Sequence, residues 1–157
     1  MNENAPVRAP KTRIVGIDFG MARMGVAISD ESKIIATPLC TVRTERRTED
    51  TIEKLLEEVA KHAAVNKYVI EAFVVGMPLM MSGKKGLVAD EVTHFVALFK
   101  QQVTVPVISW DERLTTVQAE RSLLESNLTR KRRAAVVDTV AATIILQNYL
   151  DSLPNSS

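Results

Sequence analysis

Four carboxylates stand where carboxylates are costly. Asp18 interrupts the apolar run IVGIDFG, Asp111 and Glu112 sit side by side in WDERLTT directly behind VTVPVIS, and Asp138 opens the apolar stretch DTVAATIILQNYLD. Strand alternation puts Ile14, Gly16, Asp18 and Gly20 on one face and Val15, Ile17 and Phe19 on the other. A carboxylate in such a row shifts its pKa or recruits a cation; the competing role beside Gly20 is a turn or a helix cap. Counting by threes and fours from Asp138 reaches Ala134, Ala141, Ile145 and Tyr149, an apolar stripe that should face a sheet. Its competing role is a first-turn acid at the positive end of the helix dipole. Of Asp111 and Glu112, one can cap the following helix, and the other needs a cation, water or chemistry. Alternation does not choose between them, because pairing breaks at strand ends. If the first and fifth strands are neighbours and the last helix reaches in, three acids converge. That cluster is repulsive unless it holds hard cations, and oxygen donors without Cys or His select Mg2+ or Mn2+. Two such ions about 4 Å apart activate a water and stabilise the leaving oxygen in phosphodiester hydrolysis.

The elements that must position these acids follow from pattern. IVGIDFG, RMGVAISD and KIIATPL predict three consecutive strands in an antiparallel meander, followed by a charged linker, TVRTERRTED. TIEKLLEEVAKHAAV has helical spacing through Ile52, Leu55, Leu56, Val59 and Ala63, with Asp50 and Glu53 as its capping box. YVIEAFVVGMP predicts a buried strand, MMSGKKG a loop, and LVADEVTHFVALFKQQ a helix through Val88, Val92, Val96 and Phe99. VTVPVISW is the fifth strand, with Pro106 pointing to an edge or bulge. TTVQAERSLLES, with Thr115 and Gln118 at capping-box spacing, and a last helix from about Arg133 complete the order βββαβαβαα. This predicts an α/β fold, a five-stranded mixed sheet flanked by helices on both faces. Residues 1–12 are expected to be a disordered lead-in, 13–151 a single domain and 152–157 a flexible tail.

Composition sets the outer limits. A chain of 157 residues can bury a core without disulfides, and its lone Cys40 argues against both a secreted disulfide scaffold and a zinc site, favouring the cytoplasm. The opening MNENAPVRAPKTR resembles neither a secretory signal nor a transit peptide, and no apolar run approaches membrane-spanning length. The net charge of +1 does not announce a nucleic-acid binder, yet Arg130, Lys131, Arg132 and Arg133 cluster, as do Lys84 and Lys85. A solvated surface is the competing account of such runs. Aromatic residues make up only 4%, which does not suit a base-stacking platform. His62, His94 and Trp110 read as packing residues.

IVGIDFGMARMGVAISD, VVGMPLMMSGKKG, WDERLTTVQAE and DTVAATIILQNYLD, in that order and over nearly the whole chain, resemble the YqgF/RuvX family of ribonuclease H-like nucleases. The resemblance implies a ribonuclease H-like fold, a divalent-metal nuclease in the cytoplasm, and a role in maturing the 5′ end of the 16S ribosomal RNA precursor; some members are described as Holliday junction resolvases. It assigns the acids to Asp18, Glu112 and Asp138. Gly20, Arg23 and Gly25 match the family's opening, and Arg113 and Thr115 its DERLT segment. Asp111 and Thr115 are then supporting residues. The chain departs from the pattern at Ala22, where the family commonly has Lys, and at Ser82, Lys84 and Lys85, which replace an acidic loop. Beside a metal centre, Arg23, Lys84, Lys85, Arg113 and the run Arg130, Lys131, Arg132, Arg133 are candidates to hold a nucleic-acid backbone.

The expectation is therefore a metal-dependent phosphodiester hydrolase acting on structured RNA, a ribosomal RNA precursor. One alternative is a resolvase of branched DNA, which requires a homodimer where an RNA nuclease can be a monomer. Another, of a different class, is a non-catalytic nucleic-acid-binding module. An actin-like phosphotransferase is disfavoured, since this chain is too short to supply a second domain.

Overall fold

A computed structural model of the chain describes residues 9–77, 87–111 and 130–154. Its elements are β1 (Thr12–Asp18), β2 (Arg23–Ser29), β3 (Ala36–Arg43), α1 (Thr48–Asn66), β4 (Val69–Met77), α2 (Leu87–Gln102), β5 (Val107–Asp111) and α3 (Arg130–Ser152). The strands form one sheet in the order β3-β2-β1-β4-β5. The β1–β2 and β2–β3 pairs are antiparallel and the β1–β4 and β4–β5 pairs parallel, the mixed ribonuclease H-like arrangement expected. The helix expected over TTVQAERSLLES lies outside the described residues.

Strand alternation sorts the core into two layers. Val15, Ile17, Met24, Val26, Ile28, Phe73 and Val75 point toward α1 and α2, where they meet Ile52, Leu55, Val59, Phe95 and Phe99. Three of the rings lock this layer, with Phe95 stacked on Phe99 at 5.3 Å and Phe73 edge-on to Phe99 at 4.8 Å. Ile14, Ala27, Ala72 and Val74 point the other way, toward Ala141, Ala142, Ile145, Leu146 and Leu150 of α3. Small residues let this single helix lie close: a Cβ added at Gly16 would stand 2.6 Å from Leu146 Cβ and 3.2 Å from the Ala142 carbonyl oxygen.

Several boundaries differ from expectation. β3 begins at Ala36, after the expected start, and runs on through Thr41–Arg43, which pattern had assigned to a linker. Ile34 and Ile35 are instead 63% and 57% exposed at the hairpin tip. Asp30 holds them there: its Oδ1 accepts from the Ile34 and Ile35 amides at 2.7 and 3.0 Å, and burial, which opposes ionisation, is outweighed by these and neighbouring backbone donors, so its carboxyl lies below the usual range. The Asp50–Glu53 capping box is not formed. α1 starts a residue after Arg47, which makes no side-chain cap, and Asp50 lies within the first turn, where its charge suits the dipole. Thr51 ties the turn down instead, accepting the Glu45 amide at 2.8 Å. α3 opens at Arg130, one turn before the expected Arg133, and continues to Ser152. Pro106 immediately precedes β5, an edge strand, as its missing N–H requires.

Candidate active site

Asp18 ends the central strand β1 and is buried, at 5% exposure. Its cross-strand partner is Gly25 of β2. A Cβ on Gly25 would lie 1.9 Å from the carbonyl oxygen of Asp138, 2.3 Å from its carbonyl carbon and 3.0 Å from the Thr139 nitrogen. The backbone of α3 therefore rests directly on β2 at the point where β2 pairs with Asp18. Only glycine allows that approach, and it places the Asp138 backbone over the residue that pairs with Asp18. The β1–β2 turn has a similar requirement, since a Cβ on Gly20 would lie 2.2 Å from the Arg23 carbonyl oxygen. This tight return starts β2 with Arg23, whose Nε stands 2.5 Å from Asp138 Oδ2. The guanidinium offsets the charge of the Asp138 carboxylate.

The structure corrects one step of the expected convergence. β1 and β5 are not neighbours, because β4 returns beside β1 and β5 is added outside it. The α3 side of β4 nevertheless leaves room at this level. Val74 packs toward α3, so Gly76 two residues on shares that face without a side chain, and it pairs with Trp110 of β5. Trp110 packs on the α3 side, edge-on to Tyr149 with ring centroids 5.6 Å apart. Ser109 and Asp111 point to the other side, into a cavity of about 530 Å³ shared with Met77, Thr93, Val96, Ala97 and Lys100. Asp111 is thus across the sheet from Asp18 and Asp138. Among the described residues no three His, Cys, Asp or Glu side chains form a metal-holding group.

Glu112, Arg113, Thr115, Lys84 and Lys85 lie outside the described residues. Arg130, Lys131, Arg132 and Arg133 form the first turn of α3, with Asp138 about 1.4 turns beyond the last of them, and their side chains are likewise outside what is described. His62 packs as expected, its Nδ1 2.7 Å from the Tyr68 hydroxyl, and His94 is exposed on α2. Burial, followed by the nearby Glu58 charge, pushes the Cys40 thiol up, which does not suit a nucleophile. Sequence reasoning missed a cavity of about 600 Å³ lined by Ala22, Arg23, Thr41, Arg43 and Thr44. The available signal was Val42, a lone apolar residue between Thr41 and Arg43, which reads as one inward position of a strand.

A family model described as "RuvX: Holliday junction resolvase" matches residues 12–152. A protein of Protochlamydia amoebophila (strain UWE25) named "Putative pre-16S rRNA nuclease" is 59% identical over 150 residues, covering 96% of this chain and 98% of that one. A protein of the same name from Caldanaerobacter subterraneus subsp. tengcongensis is 45% identical over 145 residues, covering 92% of this chain and 99% of its own. Among solved structures, Thermus thermophilus RuvC in complex with Holliday junction substrate aligns over 88% of this chain and 93% of that one, at 16% identity and a TM-score of 0.48, a likeness too remote to bear on function. A match over almost the whole length, with relatives this similar, means that the chain belongs to the RuvX family.

Proposed function

We propose that this protein is a divalent-metal-dependent nuclease of the cytoplasm whose substrate is a 16S ribosomal RNA precursor, cut at its 5′ end. The observation that carries the reading is the contact between Gly25 and the Asp138 backbone, which brings the chain at Asp138 over the cross-strand partner of Asp18, at the end of β1. The donor set fits Mg2+ or Mn2+, being all oxygen, with one carboxylate buried at the end of a strand paired on both sides. Asp18 and Asp138 are two of the assigned ligands and Glu112 is the third. That choice is supported by Asp111, which lines the cavity on the face of the sheet opposite Trp110 and α3, away from Asp138.

When bound there, such an ion polarises the phosphoryl oxygen and lowers the pKa of a water. The chain's own groups do the rest. Asp18 is fixed by β1, Arg23 orients the Asp138 carboxylate, and Gly76 leaves the sheet face open between Asp18 and the end of β5. Arg23, Arg113, Lys84, Lys85 and the run Arg130, Lys131, Arg132, Arg133 are assigned to backbone phosphates, and Thr115 and Asp111 to support. Asp111, on the far face of the sheet, supports through β5 itself.

The test is cleavage of a 5′-extended ribosomal RNA precursor and of a synthetic four-way DNA junction by wild type and Asp18→Asn, with Mg2+, Mn2+ or chelator. Metal-dependent cutting of the RNA, lowered at least about a hundredfold in Asp18→Asn, is expected. Cutting of the junction alone, by a dimer in sedimentation, transfers the same site to branched DNA, the reading that the family model's description favours. Equal binding by both proteins with no cutting leaves a binding module.

A further inference from the structure

Arg23 and Arg43 are direct cross-strand partners in the antiparallel β2–β3 pair. Directly opposed side chains of such a pair share one face of the sheet, and like charges placed there are destabilising. Arg23 meets Asp138 on the α3 face, so Arg43 stands on that face too. Asp138 answers the charge of Arg23, but among the described residues no carboxylate lies within ion-pair distance of Arg43. Its charge also acts on Glu45, which is held first by an ion pair with Lys54. Arg43 and Thr41 are exposed and border the 600 Å³ cavity that begins at Arg23.

The floor of that cavity is fixed. The Thr44 amide donates to the Ala22 carbonyl at 3.0 Å, and its hydroxyl donates to the Gly20 carbonyl at 2.7 Å, strapping the end of β3 to the β1–β2 turn. Thr41 is the cross-strand partner of Gly25, itself the partner of Asp18, so the cavity lies two strand spacings, about 10 Å, from the buried acid and on the same face. That separation places it beyond the reach of the phosphate under attack.

We infer that Arg43, with the Thr41 hydroxyl and Arg23, forms a second phosphate site that holds a backbone phosphodiester of the substrate beside the scissile one. The inference rests on the nuclease reading for its substrate. Arg43 positions and does not catalyse. A planar guanidinium at the open rim takes a phosphate through two oxygens, and neutralising it relieves the repulsion between the paired arginines.

The experiment measures binding of a fluorescein-labelled 5′-extended ribosomal RNA precursor by anisotropy over a range of salt. It uses Asp18→Asn so that the RNA stays intact, alone and combined with Arg43→Ala or Arg43→Lys. Arg43→Ala is expected to weaken binding about tenfold and to lower the slope of log affinity against log salt by about one. Arg43→Lys keeps the slope but regains only part of the affinity. In the chain with Asp18 intact, Arg43→Ala raises KM and leaves kcat nearly unchanged. Its melting temperature does not fall, because a repulsion has been removed, which a merely structural arginine would not produce. An unchanged salt slope, absent RNA binding, or saturation of the site by inorganic phosphate with no response to RNA overturns the inference. RNA cleavage that survives such a result leaves the nuclease reading standing. An Arg43-dependent salt slope in a protein that never cuts removes the nuclease reading and leaves the phosphate site.

Discussion

At the scale of single residues, the candidate site depends on an absence, the missing side chain of Gly25. A methyl group there would occupy the space of the Asp138 carbonyl, which is backbone and cannot rotate away. Gly25→Ala is therefore expected to cost about 1–3 kcal/mol of stability by overpacking and to displace Asp138 from Asp18. Denaturant unfolding measures the first effect, and cleavage under conditions where the variant is fully folded measures the second. A variant that is destabilised yet cuts at the wild-type rate would show that the contact packs the helix without aligning the acids. Asp18 and Asp138 stand out in the sequence because a carboxylate inside an apolar period is a local anomaly. The glycine contact does not, since nothing local marks which helix will lie on which strand.

At the scale of elements, periodicity located every described helix and strand, and it failed where the burial pattern is weak. β3 is an edge strand with Ala36 and Val42 as its buried apolar residues, while the stronger apolar pair, Ile34 and Ile35, is exposed at the turn. Two side-chain hydrogen bonds from Asp30 hold that pair at the turn. Asp30 binds the turn amides as a carboxylate, and its folded pKa is depressed. Its contribution is then complete above the unfolded value, near 4, and is lost as pH falls through the lower folded value. The stability advantage of wild type over Asp30→Ala should be full above about pH 5 and shrink below about pH 4, as followed by thermal unfolding across that range. An advantage that grows on acidification would contradict this sign. The same hairpin tip is also secured by α3, where Gln147 accepts from the Ala36 amide at 2.9 Å and donates to the Ile34 carbonyl at 2.8 Å.

At the scale of the whole molecule, the two ends of the sheet differ in character. β1, β4 and β5 run parallel, so Asp18, Met77 and Asp111 finish at one end, the crevice where α/β sheets place their ligands. α3 starts at that end and finishes at the other, where Lys33–Glu71 and Lys11–Glu31 pairs at 3.4 and 3.6 Å balance the charge. The mixed order of the sheet was readable from the meander and the alternating helices, but the insertion of β4 between β1 and β5 was not, because pattern specifies elements and leaves their neighbours open.

The central position of β1 also divides the site kinetically. β1 is paired on both sides, whereas Asp138 rides on a helix that touches the sheet through one face. In native-state hydrogen exchange, the amides of Val15, Gly16 and Ile17 should open only with global unfolding, while those around Asp138 should open at a lower free energy. Exchange that is as fast in β1 as around Asp138 would refute this ordering. If it holds, the two acids belong to different cooperative units of one fold, and the protein can lose the proposed arrangement of acids reversibly, by a loosening of α3, while most of its structure stays intact.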